Sequence, residues 1–268
     1  MEFPVDVAFF FPSRNSLYEQ PNTGIVTVAT NGYDASFLLN TTITKGKFDG
    51  PIYIISDTNE FSNPPPMRVK VVLVATPADS LFAVDMKSRV FQLIENATAS
   101  KSEQPERLLY LDADMGVNLP IYNTFLSTID WRNNSDCSVY ILRERWYTKS
   151  LWNTGTMLLD RYHSADFLKA WHQLIKDNHD LILSQDRYSK DQWALMQLLD
   201  QGKFKVCPLP DQVSFVADFF SHHIWGDEST TFTHWTSAKR LSDHNFKRSA
   251  GAHLEQAHPH LRGNKQSD

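Results

Sequence analysis

At 268 residues the chain has room for one large domain or two small ones. Hydrophobic residues make up 41% and charged residues 21%, the balance of an ordinary soluble globular protein. The net charge of -5 argues against a general nucleic-acid binder, which is normally basic, so a phosphate-bearing ligand would need a local cation or a metal.

Residues 5–11 read as an edge strand that ends at Pro12, not as a signal peptide. Gly24 to Thr30, rich in β-branched residues, reads as a first core strand closed by Thr30-Asn31-Gly32-Tyr33. A helical pattern follows in Phe37, Leu38 and Ile43. Pro51 to Ser56 is a second strand, closed by Asp57, and Val69 to Ala75 a third. Leu81, Val84, Val90, Phe91 and Ile94 have the spacing of one helix, and the polar residues 98–105 form a surface loop.

Leu108 to Leu111 is a short apolar run that reads as a strand buried on both faces, and it ends in two carboxylates, Asp112 and Asp114. Unpaired charges cannot sit inside a buried strand, so they belong at its open end. If strand geometry continues, both point the same way. Two such carboxylates suit a hard divalent cation, Mg²⁺ or Mn²⁺, which usually shares its ligands with substrate phosphates. Asp-x-Asp is also a common solvated turn; the apolar strand before it favours chemistry, because ligands of α/β sheets gather at the carboxyl ends of strands.

In the second half, Ser138 to Leu142 and Thr156 to Asp160 read as strands, Ala165 to Ile175 and Asp191 to Leu199 as helices, and Thr230 to His234 as a last strand. Strands alternating with helices imply a mostly parallel sheet covered by helices. Residues 1–240 are expected to form one domain and 241–268 a polar tail, whose histidines match no ligand spacing. Cys137 and Cys207 are too few for a disulfide framework and read as buried free thiols, with a single bridge left open. No apolar run reaches the length of a membrane span, which makes the cytoplasm the default compartment and an excised lumenal domain the alternative. Asn40, Asn96 and Asn133 open glycosylation patterns that matter only in a secretory lumen.

Five segments in order resemble the nucleotide-sugar glycosyltransferases of the GT-A fold, within them the glycogenin and lipopolysaccharide galactosyltransferase group of glycosyltransferase family 8 and its relatives. Thr27-Val-Ala-Thr-Asn31 resembles the first strand and nucleoside loop, and Leu109-Tyr-Leu-Asp-Ala-Asp114 the metal strand. Trp152-Asn-Thr-Gly-Thr-Met-Leu-Leu159 resembles Phe-Asn-x-Gly-Val-Met-Leu, Lys190-Asp-Gln192 the Asp-Gln that opens a later helix, and His234-Trp-Thr-Ser-Ala-Lys239 the His-x-x-Gly-x-x-Lys. Each motif is weak alone; their agreement in order is what carries weight.

The resemblance implies a GT-A sheet with an irregular acceptor-side second half. It implies a metal-dependent, retaining transfer of a sugar from a nucleoside-diphosphate donor, UDP-sugar foremost, to a hydroxyl of a glycan or other acceptor. It places Asp112, Asp114 and His234 on Mn²⁺ or Mg²⁺, with Ala113 between the carboxylates. The metal would neutralise charge on the leaving nucleoside diphosphate. Taken by itself, His234 between Phe232 and Trp235 reads as a core histidine. Lys239 or Arg240 would reach the diphosphate; the missing Gly and a shorter spacing leave the choice open. Asp191 would grip donor hydroxyls with Gln192 near the reacting face, and Asp191 alone also reads as a helix cap. Asn153 would bind hydroxyls, with Gly155 allowing close backbone approach. Lys87, or Arg89, would reach the donor, although a lone helical Lys is usually solvated. Thr30, Asn31, Tyr33 and Asp57 would contact the nucleoside or only form turns. Trp146, Tyr147 and Trp152 would stack on an acceptor or fill the core. Glu144 is the candidate base should the reaction invert. A nucleotidyltransferase is the rival enzyme, disfavoured by a first loop without a cation, and a binding protein with a degenerate site is the third reading.

Overall fold

The structure, a computed structural model, describes residues 22–30, 33, 35–59, 61, 65–66, 68–75, 81–101, 104–121, 136–143, 152–184, 190–210, 214–218, 223–225 and 231–236. The chain begins with β1 (Thr23–Ala29), α1 (Ser36–Thr44), β2 (Ile52–Ser56) and β3 (Val69–Leu73), then α2 (Phe82–Ser88) and α3 (Val90–Ala97). The strand that ends in the aspartates is β4 (Arg107–Leu111), followed at once by β5 (Met115–Val117). Next come β6 (Cys137–Arg143), β7 (Trp152–Asp160), α4 (Ala165–Asp177), α5 (His179–Leu183) and α6 (Lys190–Leu199). The last elements are β8 (Lys205–Pro208), β9 (Ser214–Asp218), β10 (His223–Trp225) and β11 (Phe232–Thr236).

Two sheets result. The larger runs β3-β2-β1-β4-β7-β6-β8 and the smaller β10-β9-β11-β5. In the larger sheet β7 pairs antiparallel with both β4 and β6, and the other pairings are parallel, as strand–helix alternation predicts. Its central strands are buried on both faces, so they read as apolar runs without alternation. The pleat divides them between two cores. Val26, Tyr53, Leu108 and Tyr110 face the layer of α2, α3, α4 and α6. Ile25, Ile54, Leu109 and Leu111 face α1, β5 and β11.

Several expectations change. The helix read from Leu81 to Ile94 is two, interrupted at Arg89 (φ -116°, ψ 14°). The second strand pair is longer than read, with Trp152 to Gly155 inside β7. Cys137 and Cys207 are not free thiols: they form a disulfide between β6 and β8, with Cα atoms 5.8 Å apart. The parallel pairing of those strands brings the two residues together across the sheet, within ordinary disulfide reach. Asn31, Lys239, Arg240, Asn133, Glu144, Trp146, Tyr147, the strand at 5–11 and the tail from 241 lie outside the described residues. Among the described residues no helix is long and apolar enough to cross a membrane.

Candidate active site

The order of strands makes a crevice. From β1 the chain passes outward to β2 and β3, then returns to the other side of β1 as β4. The connections therefore diverge between β1 and β4, and ligands of open α/β sheets bind outside the carboxyl ends of strands at such a point. Thr30 follows β1, Asp57 follows β2 and Asp112 follows β4, so all three lie on this edge.

β4 stops at Leu111, and Asp112 to Asp114 form a turn closed by the Met115 N–H donating to the Asp112 carbonyl at 3.0 Å. The two carboxylates thus converge through a turn, not through continued strand alternation. β5 then pairs antiparallel with β11, which sets Met115 opposite His234. Asn118 secures the pairing, its amide donating 2.7 Å to the Thr233 hydroxyl. His234 Nε2 lies 3.6 Å from Asp112 Oδ2 and 3.4 Å from Asp114 Oδ1. One ligand atom from each of Asp112, Asp114 and His234 falls within 4.8 Å of the others, and all three residues are buried. Two carboxylates and one imidazole in this arrangement could hold a divalent metal ion.

Gly155 is required here by close approach. A Cβ on it would stand 2.5 Å from His234 Cε1 and 2.8 Å from Nδ1. Its carbonyl accepts from the Asp112 N–H at 2.9 Å, and its own N–H donates to Asn153 Oδ1 at 2.7 Å. Asn153, expected to reach hydroxyls, is buried with that oxygen committed to the backbone. Ala113 packs into the core beside α1.

Lys87 does not lie on a solvated face. Its side chain is only 6% exposed, with Nζ 2.9 Å from Asp112 Oδ1 and 2.6 Å from Asp191 Oδ2. It also sits 5.1 Å from the centre of the Tyr110 ring. The burial follows from pattern: Lys87 is three residues after Val84 and four before Phe91, on the apolar stripe. Arg89, the alternative, pairs with Asp85 at 2.9 Å instead.

Two residues that sequence reasoning did not assign complete the network. The Tyr110 hydroxyl donates 2.8 Å to Asp112 Oδ1. The Thr154 hydroxyl donates 2.6 Å to Asp191 Oδ2. Each carboxylate is therefore divided. Asp112 gives Oδ1 to Lys87 and Tyr110 and turns Oδ2 towards His234. Asp191 gives Oδ2 to Lys87 and Thr154, while Oδ1 accepts the Gln192 N–H at 3.0 Å in the first turn of α6. The helix-capping character read for Asp191 is thus present together with its place in the site.

Burial pushes the Asp191 carboxyl up, but the Lys87 charge and the bonds from Lys87 and Thr154 outweigh it, and it stays below its ordinary value. Burial pushes the Lys87 ammonium down, but Asp112 and Asp191 together hold it well above its ordinary value. The Tyr110 hydroxyl is held well above its ordinary value by burial and by the Asp112 charge. At neutral pH the network holds the Lys87 ammonium beside the Asp191 carboxylate and a Tyr110 phenol that keeps its proton.

Thr30 is fully buried, and its carbonyl accepts from the Tyr33 N–H at 3.2 Å. Tyr33 packs against the α1-side core, Asp57 stands half-buried past β2, and Gln192 is half-buried at the start of α6.

The fold has counterparts among solved structures. The galactosyltransferase LgtC in complex with donor and acceptor sugar analogues superposes with a TM-score of 0.51 at 14% identity, over 85% of this chain and 95% of that one. An active-site mutant of LgtC gives 0.52 at 12% identity over the same shares. The chain has the GT-A fold. The apo form of the glycosyltransferase GlyE from Streptococcus pneumoniae TIGR4 gives 0.55 at 13% identity. That match covers 87% of this GT-A chain and 60% of GlyE. No protein-family model matches the sequence, and no curated protein matches it. The GT-A architecture expected from the five short motifs is the one observed.

Proposed function

We propose that this GT-A chain is a metal-dependent glycosyltransferase that moves a sugar from a nucleoside-diphosphate donor, UDP-sugar foremost, to a hydroxyl of a glycan or other acceptor with retention. The observation that carries the reading is the buried Asp112, Asp114 and His234 cluster at the point where the strand connections diverge. Asp112, Asp114 and His234 would hold Mn²⁺ or Mg²⁺, which supplies Lewis-acid stabilisation of the departing diphosphate.

The remaining residues bind and orient. Thr30, Asn31, Tyr33 and Asp57 hold the nucleoside side of the crevice. Lys87 fixes the Asp112 and Asp191 carboxylates relative to one another on the donor side of the site. Asp191 Oδ1, turned away from Lys87, faces donor hydroxyls with Gln192 beside it, and Asn153 and Gly155 position His234. Lys239 or Arg240 neutralises the diphosphate from the chain beyond β11. The fold neighbours LgtC and GlyE, both glycosyltransferases, support the reaction class, and the LgtC complex with donor and acceptor sugar analogues supports the partner classes.

Calorimetric titration with UDP, GDP and CDP, each with Mn²⁺ and again with EDTA, tests the reading. Metal-dependent UDP binding is expected. Metal-dependent binding of GDP or CDP alone changes the base. Binding of none of the three, with or without metal, overturns the donor site.

A further inference from the structure

Two features take no part in the crevice. The first is the Cys137–Cys207 disulfide, which leaves no free cysteine in the chain. The second is the set of Asn-x-Ser/Thr patterns at Asn40, Asn96 and Asn133. Asn40 and Asn96 are exposed. Asn96 stands in the last turn of α3, and the chain leaves the helix at Thr98 with extended backbone (φ -110°, ψ 128°), so the tripeptide straddles a helix end. Asn40 is mid-helix, and Thr42 of its pattern is fully buried.

Asn96 is placed in the fold through its neighbour Glu95. Glu95 reaches Arg161 at 3.7 Å, and the Arg161 N–H donates to the Glu106 carbonyl at 2.8 Å. This places the end of α3 beside the start of β4, at the opposite end of that strand from Asp112. An oligosaccharide here would stand clear of the donor crevice.

We infer that this domain matures in an oxidising secretory lumen and carries an N-linked oligosaccharide on Asn96. Disulfides persist in such compartments and are rare where glutathione and thioredoxin keep thiols reduced. The acceptor tripeptide is used in the same compartment. A sequon alone arises readily by chance; its coincidence with a cross-strand disulfide is what selects the lumen over the cytoplasm expected by default. The two steps are independent of glycosyl transfer by this chain. In one, the Cys137 and Cys207 thiols lose two protons and two electrons to a lumenal thiol–disulfide oxidase, whose own disulfide is reduced to a dithiol. In the other, the Asn96 amide nitrogen bonds to the anomeric carbon of a lipid-diphosphate oligosaccharide. The bond from that carbon to the diphosphate breaks, the lipid diphosphate leaves, and the amide nitrogen gives up a proton.

The chain isolated from its own cells, with thiols alkylated before lysis and digested without reduction, tests this by peptide mass spectrometry. The expected result is a linked pair of peptides containing Cys137 and Cys207, and an Asn96 peptide that amidase treatment in heavy-oxygen water converts to labelled aspartate. Alkylated Cys137 and Cys207, or an unmodified Asn96 peptide, overturns the inference. As a second measurement, Asn96→Gln expressed in the same cells should migrate faster by one oligosaccharide unit; unchanged mobility overturns the site.

Discussion

β4 and β7 carry a buried polar cluster at each end of their shared ladder, and the two clusters are built on opposite principles. At the end where β4 begins, Arg107 faces Asp160 in register, with Nε 3.3 Å from Oδ2. Asp160 Oδ1 accepts the Tyr162 and His163 N–H groups and faces His163 Nδ1 at 3.0 Å. Both oxygens are matched by donors of the fold itself. At the other end Asp112, Asp114 and His234 gather two carboxylates around one imidazole, with Lys87 shared between Asp112 and Asp191. There, among the described residues, acidic groups outnumber the cations that face them. A closed cluster stabilises the fold; an acidic excess held rigidly in place stabilises a ligand that brings positive charge.

The sharpest break between the two ends is the sign of a stability change. Asp114→Ala should weaken Mn²⁺-dependent nucleotide binding by roughly 100-fold or more, since removing even an outer partner of a metal site weakens it 10- to 100-fold. Its melting temperature in EDTA should hold or rise, because like charges no longer crowd. A marked fall in melting temperature would place Asp114 among the structural residues. Gly155→Ala should push the His234 imidazole aside and weaken metal-dependent binding by about 10- to 100-fold, read by the same titration. Normal binding would show that His234 is not held by that close approach.

At the structural end, Asp160→Ala should lower unfolding free energy by about 1–3 kcal/mol, since buried donors lose their acceptor, and leave nucleotide binding unchanged. Denaturant unfolding and calorimetry on one preparation would separate the ends. Thr154→Val should weaken UDP-sugar binding relative to UDP by about 5-fold, the effect of about 1 kcal/mol for one hydrogen bond, with recovery in Thr154→Ser. Equal losses for UDP and UDP-sugar would remove Thr154 from the sugar side.

The smallest effect is a pH slope. Burial raises the Asp160 carboxyl, but bonds from His163 and Tyr162 outweigh it and hold the group below its ordinary value. A depressed carboxyl contributes stability above its unfolded value of about 4 and loses it as pH falls through the lower folded value. Asp160→Asn should flatten that acid limb in a denaturation series; an unchanged limb would assign the slope elsewhere.

Legibility in the sequence followed the range of the interactions. Leu108 to Leu111 announces a buried strand, and its two aspartates announce the open end, because both signals are local. Asp191 at a helix start is local too. His234 reads as a core histidine until the pairing of β5 with β11 sets it opposite Met115. β5, β8, β9 and β10 do not announce themselves in the sequence, since their pairing and not their composition makes them strands. Lys87 was open to detection: it lies on the stripe of Val84 and Phe91, where a lysine needs a carboxylate. Thr154 and Tyr110 carry no comparable signal, because their partners are fixed only by tertiary structure.

β11 supplies the imidazole from near the end of the described chain, while both carboxylates come from its middle. During synthesis the first-half sheet can form while the Asp112, Asp114 and His234 cluster still lacks its third member. Long-range pairing of this kind is slow to form, so the proposed metal site would be completed late in biogenesis, and a polypeptide released before Phe232 would carry the two aspartates without the imidazole that completes it.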